Sequence, residues 1–162
     1  MPELEIRIAT EGDDTLVLSF IKELAEYERL SHEVSATEDL LREYLFGERQ
    51  GAAEVVIGHH GADAAGFALF FHNFSTFLGR PGIYLEDLDV KPELCGKGVG
   101  RALLTYLAKL AKERNCGRLE WSVLDRNEPA LKLYRGVGAV AMDEWTVYRL
   151  TGEALDELAA RS

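Results

Sequence analysis

The sequence predicts an α/β fold in which helices flank a mixed β-sheet. Strand-like and helix-like segments follow the order β-α-α-β-β-β-α-β-α-β before a terminal helix, and one strand leads through a glycine-rich turn into a long amphipathic helix. The chain has 162 residues, and 47% of them are hydrophobic, which is typical of one compact domain. We therefore expect a single domain over residues 1–162, without a linker or internal repeat.

The N-terminal elements are a strand and two helices. Residues 4–9 alternate between apolar and polar side chains, as a half-buried strand does. A helix at about 12–29 follows, with apolar residues at helical spacing: Leu16, Phe20, Leu24 and Tyr27. Ser35 and Glu38 form a capping-box pattern that predicts a short helix at about 36–46.

A hairpin and a third strand are predicted in the middle of the chain. The segments AEVVIGHH and AGFALFFHNF flank the turn GADA and predict a hairpin across residues 54–74. Gly79, Pro81 and Gly82 interrupt the pattern before a strand at 83–90. Helical spacing resumes in VGRALLTYLAKLAKER after the glycine-rich turn.

The C-terminal part begins where Gly117 closes that helix. RLEWSVL, at residues 118–124, supplies another strand, and Asp125 or Asn127 can cap a short helix that begins near Pro129. AVAMDEWTVYRL is interpreted as the last strand and EALDELAA as a terminal helix.

The charge balance excludes one class of partner. The chain carries 28 acidic and 18 basic residues, a formal net charge of -10, which opposes binding to nucleic acid and favours approach by a cation. Solubility is the other explanation of such a surface.

Cysteine use and hydropathy predict a cytoplasmic protein. Cys95 and Cys116 lack CxxC or clustered His partners, so neither a disulfide framework nor a metal site is expected. No apolar run is long enough to span a bilayer, and the first residues do not resemble a signal peptide, so we expect no membrane partner.

Three segments carry candidate chemistry. The glycines between Cys95 and Arg101 lie between a strand and a helix, where backbone N–H groups can bind phosphate, although a glycine turn can equally serve only to reverse the chain. Asn127 lies at the start of a predicted helix and Tyr134 nearly two turns later, although such a tyrosine is more often a core residue. The strand acids Glu86, Asp87 and Asp89 would be costly to bury and therefore indicate a cleft rather than an edge strand.

Together these segments resemble the acetyl-CoA-binding signature of the GNAT acetyltransferases. CGKGVG follows an acidic strand, and N-x-x-A-x-x-x-Y comes some thirty residues later. IKELAEYE, YLED and NEP further resemble the spermidine/spermine (diamine) N-acetyltransferase family, and the likeness covers nearly the whole chain. The resemblance implies a mostly antiparallel GNAT-like sheet with one splayed parallel strand pair, acetyl-CoA as co-substrate and a homodimer.

The resemblance also assigns roles to residues. Tyr134 matches the catalytic tyrosine, and the positions that match acetyl-CoA contacts are Leu88, Asp89, Val90, Gly96, Lys97, Gly98, Val99, Gly100, Arg101, Asn127, Glu128, Pro129 and Ala130. The positions that would line the amine site are Tyr27, Glu28, Glu86, Glu120, Ser122 and Asp143, with Glu144 as the alternative to Asp143. Two departures are Cys95, where the family usually has Arg or Gln, and a shorter stretch between Tyr134 and Trp145.

The expected reaction is direct acetyl transfer to a primary amine of a small cationic substrate. A free aliphatic amine with a pKa near 10.4 is neutral only about once in 2,500 molecules at pH 7, so a base is needed, and Glu86 is the candidate. The Leu88 N–H could polarise the thioester carbonyl, and Tyr134 would protonate the leaving thiolate. Cys95 as an acyl-carrying nucleophile is less favoured because no histidine lies nearby in sequence. The alternative substrates are a lysine-like amino acid, an aminoglycoside or a protein amine. The alternative functions are a non-catalytic acyl-CoA-binding module and an unrelated nucleotide-binding enzyme.

Overall fold

The computed structural model describes residues 3–161. The chain is made of two compact units, which divide between Ser122 and Val123. The first unit contains one sheet of five strands, in the order β1 to β5 across the sheet. The strands are Leu4–Ile8 (β1), Glu54–His60 (β2), Asp63–Ser75 (β3), Arg80–Val90 (β4) and Leu119–Trp121 (β5).

Neighbouring strands in this sheet are antiparallel, except for the parallel pair β4 and β5. This confirms the predicted mixed, mostly antiparallel sheet. The helices of the first unit are Asp14–Tyr27 (α1), Glu38–Leu41 (α2), which continues into a π-helical turn at Arg42–Phe46, and Val99–Glu113 (α3). Short 3₁₀ turns occupy Ser31–Glu33 and Pro92–Leu94.

The two faces of the sheet are covered by different helices. On one face, Val17 and Phe20 of α1 pack in a buried cluster with strand residues that include Phe67, whose ring stacks on that of Phe20 with centroids 5.2 Å apart. On the other face, a Cβ added at Gly58 or Gly66 would lie 3.2 or 3.3 Å from Val99 Cγ1 of α3. The absence of side chains at these glycines therefore lets α3 lie close to the sheet.

One extra residue in β4 changes which side chains face α1. Leu85 pairs with Phe70, but Asp87 pairs with Leu69, so Glu86 is a bulge residue with no opposite partner in β3. Asp89 then pairs with Phe67, which places Asp87 and Asp89 on the face that α1 covers.

The parallel ladder between β4 and β5 is short. It joins residues 83–85 of β4 to residues 119–121 of β5, and it ends just before the bulge at Glu86. The remainder of β4, which contains Leu88 and Val90, extends beyond that ladder. The predicted splayed parallel pair is therefore confirmed.

The second unit contains two helices, Glu128–Gly136 (α4) and Gly152–Ala159 (α5). Asn127 caps α4, because its Oδ1 accepts a hydrogen bond of 3.3 Å from the Ala130 N–H. The predicted short helix near Pro129 and the predicted terminal helix are therefore confirmed.

Several predicted boundaries are wrong. The last strand, expected at 139–150, does not form, because the Trp145 N–H donates to the Met142 carbonyl at 3.2 Å and this turn breaks the extended chain. The strand expected at 118–124 spans only Leu119–Trp121, since the Leu124 carbonyl accepts a hydrogen bond from the Asn127 N–H. The cap of α2 is Thr37, whose Oγ1 accepts from the Leu40 N–H at 3.2 Å, and not the capping box that begins at Ser35.

Hydropathy adds one observation about the helices. Across residues 3–161, none of them combines the length and the apolar character that a membrane crossing requires.

Candidate active site

The glycine-rich turn has the backbone shape of an anion-binding loop. Gly96 and Gly98 have φ angles of +80° and +87°, and Gly98 is the residue that precedes the first turn of α3. The first N–H groups of a helix have no acceptor within that helix, and the first turn of α3 contains no acidic residue. Lys97 and Arg101 add positive charge at the same place. The turn therefore suits a phosphate group.

A cluster of carboxylates lies where β4 meets the end of α1. Tyr27 ends α1 and is 60% exposed, and Glu28 follows it. Glu86 is exposed at the bulge, whereas its neighbour Asp87 is half-buried. Burial of Asp87, together with the negative charges of Glu86 and Glu28, raises the pKa of Asp87 to about 6. The predicted amine-site residues Glu28 and Glu86 are thus brought together, along with Asp87.

The predicted residues of β5 join a polar network on the same face of the sheet. Glu120 Oε1 accepts a hydrogen bond from Asn73 Nδ2 at 3.1 Å, and it forms an ion pair with Arg118 Nε at 2.9 Å. Ser122 Oγ lies 2.6 Å from the hydroxyl of Tyr84. The Arg118 guanidinium offsets the charge of Glu120, so Glu120 is a weaker partner for an ammonium group than Glu86 or Asp87.

The side chain of Asp89 does not line the glycine-rich turn. It is 7% exposed and lies on the face of β4 that packs against α1, beside Glu23. Leu88, Asp89 and Val90, which match acetyl-CoA contacts by resemblance, can therefore contribute backbone groups. The Asp89 carboxyl group points towards α1 instead.

The remaining predicted residues belong to the second unit. Asn127, Glu128, Pro129 and Ala130 form the start of α4, where Glu128 Oε1 lies 3.2 Å from Arg135 Nη1. Tyr134 lies in the last two turns of that helix. Asp143 and Glu144 form part of the turn before Trp145, and all three are exposed.

The sequence reasoning missed four polar residues of the first unit. Asp87 was recognised only as part of an acidic strand. Tyr84 and Glu23 lie in the family-like stretches YLED and IKELAEYE but were given no role, and Asn73 carried no signal. Asn73, Tyr84 and Asp87 lie on strands, where side chains alternate between the two faces, so only the strand pairing shows that they share a face. Glu23 lies on α1, the helix that covers that face. The bulge at Glu86 could not be read from residue types.

Cysteine and metal chemistry add little to this site. Cys95 is exposed, with its Sγ 3.9 Å from the Val90 carbonyl oxygen, and Cys116 is buried. Within the described part of the chain, no group of three or more His, Cys, Asp or Glu side chains is placed to hold a metal ion.

Comparison with known proteins identifies the family. Residues 19–139 match the family model described as "Acetyltransferase (GNAT) family". A thialysine N-epsilon-acetyltransferase from Bos taurus is 40% identical, with 96% of this chain and 97% of that protein covered. A spermidine/spermine N(1)-acetyltransferase-like protein 1 from Homo sapiens is 30% identical over 98% of this chain, which covers 24% of that protein.

A solved structure agrees with these matches. The integron cassette protein VCH_CASS6, from the mobile metagenome of V. cholerae, superposes with a TM-score of 0.80 at 31% identity, covering 98% of each chain. Both the resemblance read from the motifs and the fold class are thereby confirmed. The chain is an N-acetyltransferase that belongs to the acetyltransferase (GNAT) family.

Proposed function

We propose that the chain transfers an acetyl group from acetyl-CoA directly to the primary amine of a small cationic substrate, with diamines and polyamines as the expected class. The observation that carries this proposal is the meeting of Glu28, Glu86 and Asp87 at the end of the β4–β5 ladder. Burial, and then the charges of Glu86 and Glu28, raise the pKa of Asp87 there. The contribution of the two carboxylates means that the local potential is negative, which favours a cation. The net charge of -10 adds a longer-range attraction.

The glycine-rich turn is our candidate for the pyrophosphate site of acetyl-CoA. Nothing lies within 4 Å of a Cβ added at Gly96, so the space beside this backbone is open. The N–H groups from Gly96 to Arg101 would bind the phosphates, and the backbone of Leu88 to Val90 would bind the pantetheine arm, as the family resemblance implies. The start of α4 from Asn127 to Ala130 is assigned to the same ligand. Acetyl-CoA supplies the activated acetyl group as a thioester.

The substrate ammonium must lose a proton before its nitrogen can attack a carbonyl. Glu86 is our candidate base, directly or through a water molecule. Asp87 is a second candidate, because a carboxyl group with a pKa of about 6 is mostly ionised at pH 7 and still binds a proton readily. The Leu88 N–H is assigned to the thioester carbonyl oxygen.

Tyr134 is our candidate general acid. A tyrosine hydroxyl has an ordinary pKa near 10, so it carries a proton that it can give to a thiolate as the carbon–sulfur bond breaks. A nitrogen–carbon bond to the acetyl group forms as the carbon–sulfur bond breaks. The ammonium group and acetyl-CoA are thereby converted to the N-acetyl amide, the CoA thiol and one released proton.

The substrate class is tested by acetylation kinetics at 150 mM salt, with thiol release as the readout. A diamine and the monoamine of equal length differ only in the distal cation, and a partly desolvated charge pair of about 1.5 to 3 kcal/mol predicts a kcat/KM ratio of roughly 10 to 150. Glu86→Gln should reduce that ratio, while the control Glu26→Gln, on an exposed position of α1, should not. Equal kcat/KM values for the two amines would remove the diamine class.

A lysine-like amino acid is the second candidate substrate. The observation in its favour is the 40% identity to a protein named for acetylation of thialysine, over nearly the full length of both chains. Adding lysine and its decarboxylated analogue to the same assay decides between the candidates. Preference for lysine requires a partner for the substrate carboxylate, whereas preference for the analogue supports the diamine class.

We further propose that residues 1–162 act as one domain and that two copies form a homodimer in the cytoplasm. The family match at 19–139 runs through the boundary between the two units, which supports one functional domain. The exposed apolar side chains at Val140, Trp145 and Val147 offer surface for a second copy. Light scattering at micromolar concentration should give twice the chain mass of 18.0 kDa, and a mass of one chain would exclude the dimer.

A further inference from the structure

The carboxyl group of the half-buried Glu23, on α1, meets that of the buried Asp89, on β4. Asp89 is 7% exposed, and its Oδ2 atom and the Oε1 atom of Glu23 are both buried without a hydrogen-bond donor. Two ionised carboxylates would repel each other strongly in such a place. One proton shared between them removes the repulsion and supplies the missing donor.

Within the described part of the chain, no cationic side chain is paired with either carboxyl group. Among residues 3–161, no ion pair includes Glu23 or Asp89. The other charged group that acts on Asp89 is Asp87, on the same face of β4. Lys91, two residues after Asp89, has its Nζ over the Phe20 ring, 5.8 Å from the ring centroid. Burial and the neighbouring Glu23 raise the pKa of the Asp89 carboxyl to about 8, although the Val90 N–H acts in the opposite direction.

The pair lies close to the proposed amine site. Glu28 follows Glu23 by five positions, which is about 7.5 Å along a helix. Asp87 precedes Asp89 by two positions on one strand face, about 6.6 Å away. A contact that fixes Glu23 against Asp89 therefore also fixes the end of α1, with Tyr27 and Glu28, beside Asp87.

We propose that Glu23 and Asp89 are positioning residues whose carboxyl groups share one proton, and that this proton-bridged contact holds α1 against β4 so that Glu28 and Asp87 stay together in the amine site. The amine-site part of this inference rests on the proposed function. At neutral pH one proton reduces the charge of the pair from -2 to -1, so the two carboxyl groups attract each other through a hydrogen bond instead of repelling. When that proton is lost at higher pH, two negative charges face each other, α1 is pushed from β4, and binding of the amine weakens.

The first test measures the contact itself, without any ligand. In the folded protein the proton is bound up to about pH 8, whereas in the unfolded chain both carboxyl groups ionise near pH 4, so the stabilisation is present at low pH and is lost as the pH rises towards 8. We expect the Tm of the wild type to fall relative to that of Asp89→Asn between pH 5 and pH 9. The Tm of Glu23→Gln should depend on pH as that of Asp89→Asn does. Glu23→Gln therefore serves as the comparison if Asp89→Asn fails to fold. Glu26→Gln should follow the wild type. Equal pH dependence of Tm in all four proteins would overturn the shared proton.

The second test measures positioning. Between pH 7 and pH 9, the KM of the wild type for a diamine should rise by about threefold or more relative to the KM of Asp89→Asn or Glu23→Gln, while the KM for acetyl-CoA changes equally in all proteins. Comparison with these variants removes the effect of the diamine's own ionisation. An unchanged ratio of diamine KM values would overturn the positioning role. If the Tm results are as expected but no amine is acetylated, the proton-bridged contact stands and the proposed function fails.

Discussion

Replacement of Asp87 by asparagine gives a direct test of the amine site. Burial and the charges of Glu86 and Glu28 raise the pKa of Asp87 to about 6, so the carboxyl group is about 90% ionised at pH 7 and only about 9% ionised at pH 5. If the ionised form attracts the ammonium group or accepts its proton, loss of this form should lower kcat/KM for the amine about tenfold as the pH falls from 7 to 5. Asparagine does not ionise, so the kcat/KM of Asp87→Asn should not show this tenfold decrease.

The assay compares the two proteins at each pH from 5 to 8, with a thiol reagent that remains reactive in acid. The amine's own protonation affects both proteins equally, so the ratio of their kcat/KM values isolates Asp87. We expect this ratio to rise about tenfold from pH 5 to pH 7 and then to level off. A constant ratio would refute a charge-based role for Asp87. A midpoint near 4 would mean that burial and the charges of Glu86 and Glu28 do not raise the pKa of Asp87 as the structure indicates.

Three further predictions concern the cofactor turn, the general acid and the core. Gly98→Val should abolish thermal stabilisation by acetyl-CoA, because valine rarely adopts a φ of +87° and its methyl groups would block the N–H groups; equal stabilisation of both proteins would contradict this. Tyr134→Phe should lower kcat by roughly 10²-fold with acetyl-CoA affinity retained, and a change of under a few fold would leave Tyr134 a packing residue. Phe67→Ala should lower the urea-derived free energy of unfolding by about 3 to 5 kcal/mol, because Phe67 is fully buried and stacked on Phe20; a loss below 1 kcal/mol would contradict that packing.

The elements that the sequence predicted well are those in which a periodic pattern is sustained. The hairpin of β2 and β3 and the helices α1 and α3 each carry several apolar residues at regular spacing, and local composition was enough to find them. The glycine-rich turn was also predictable, because Gly96 and Gly98 adopt positive φ angles that few other residues tolerate.

The remainder depended on contacts that residue types do not encode. Thr37 rather than Ser35 caps α2, although both can accept a backbone hydrogen bond, and only the chain path selects between them. The segment at 139–150 was interpreted as the last strand, with an irregular start, yet a hydrogen bond from the Trp145 N–H to the Met142 carbonyl turns the chain. In the proposed amine site, family likeness suggested Glu28 and Glu86 as candidates, whereas the candidacy of Asp87 depends on the strand register.

The bulge explains how a central strand accommodates so many acids. Ile83 and Leu85 precede it and are fully buried, so regular alternation would direct Asp87 and Asp89 into the apolar layer that faces α3. The extra residue, Glu86, reverses the alternation: Leu88 and Val90 pair with Ala68 and Gly66 and continue that layer instead. Asp87 and Asp89 are thereby moved to the α1 face, where one borders the proposed amine site and the other can share a proton with Glu23. The same insertion lies at the end of the β4–β5 ladder, so a single irregularity both opens the strand pair and directs the carboxylates towards α1.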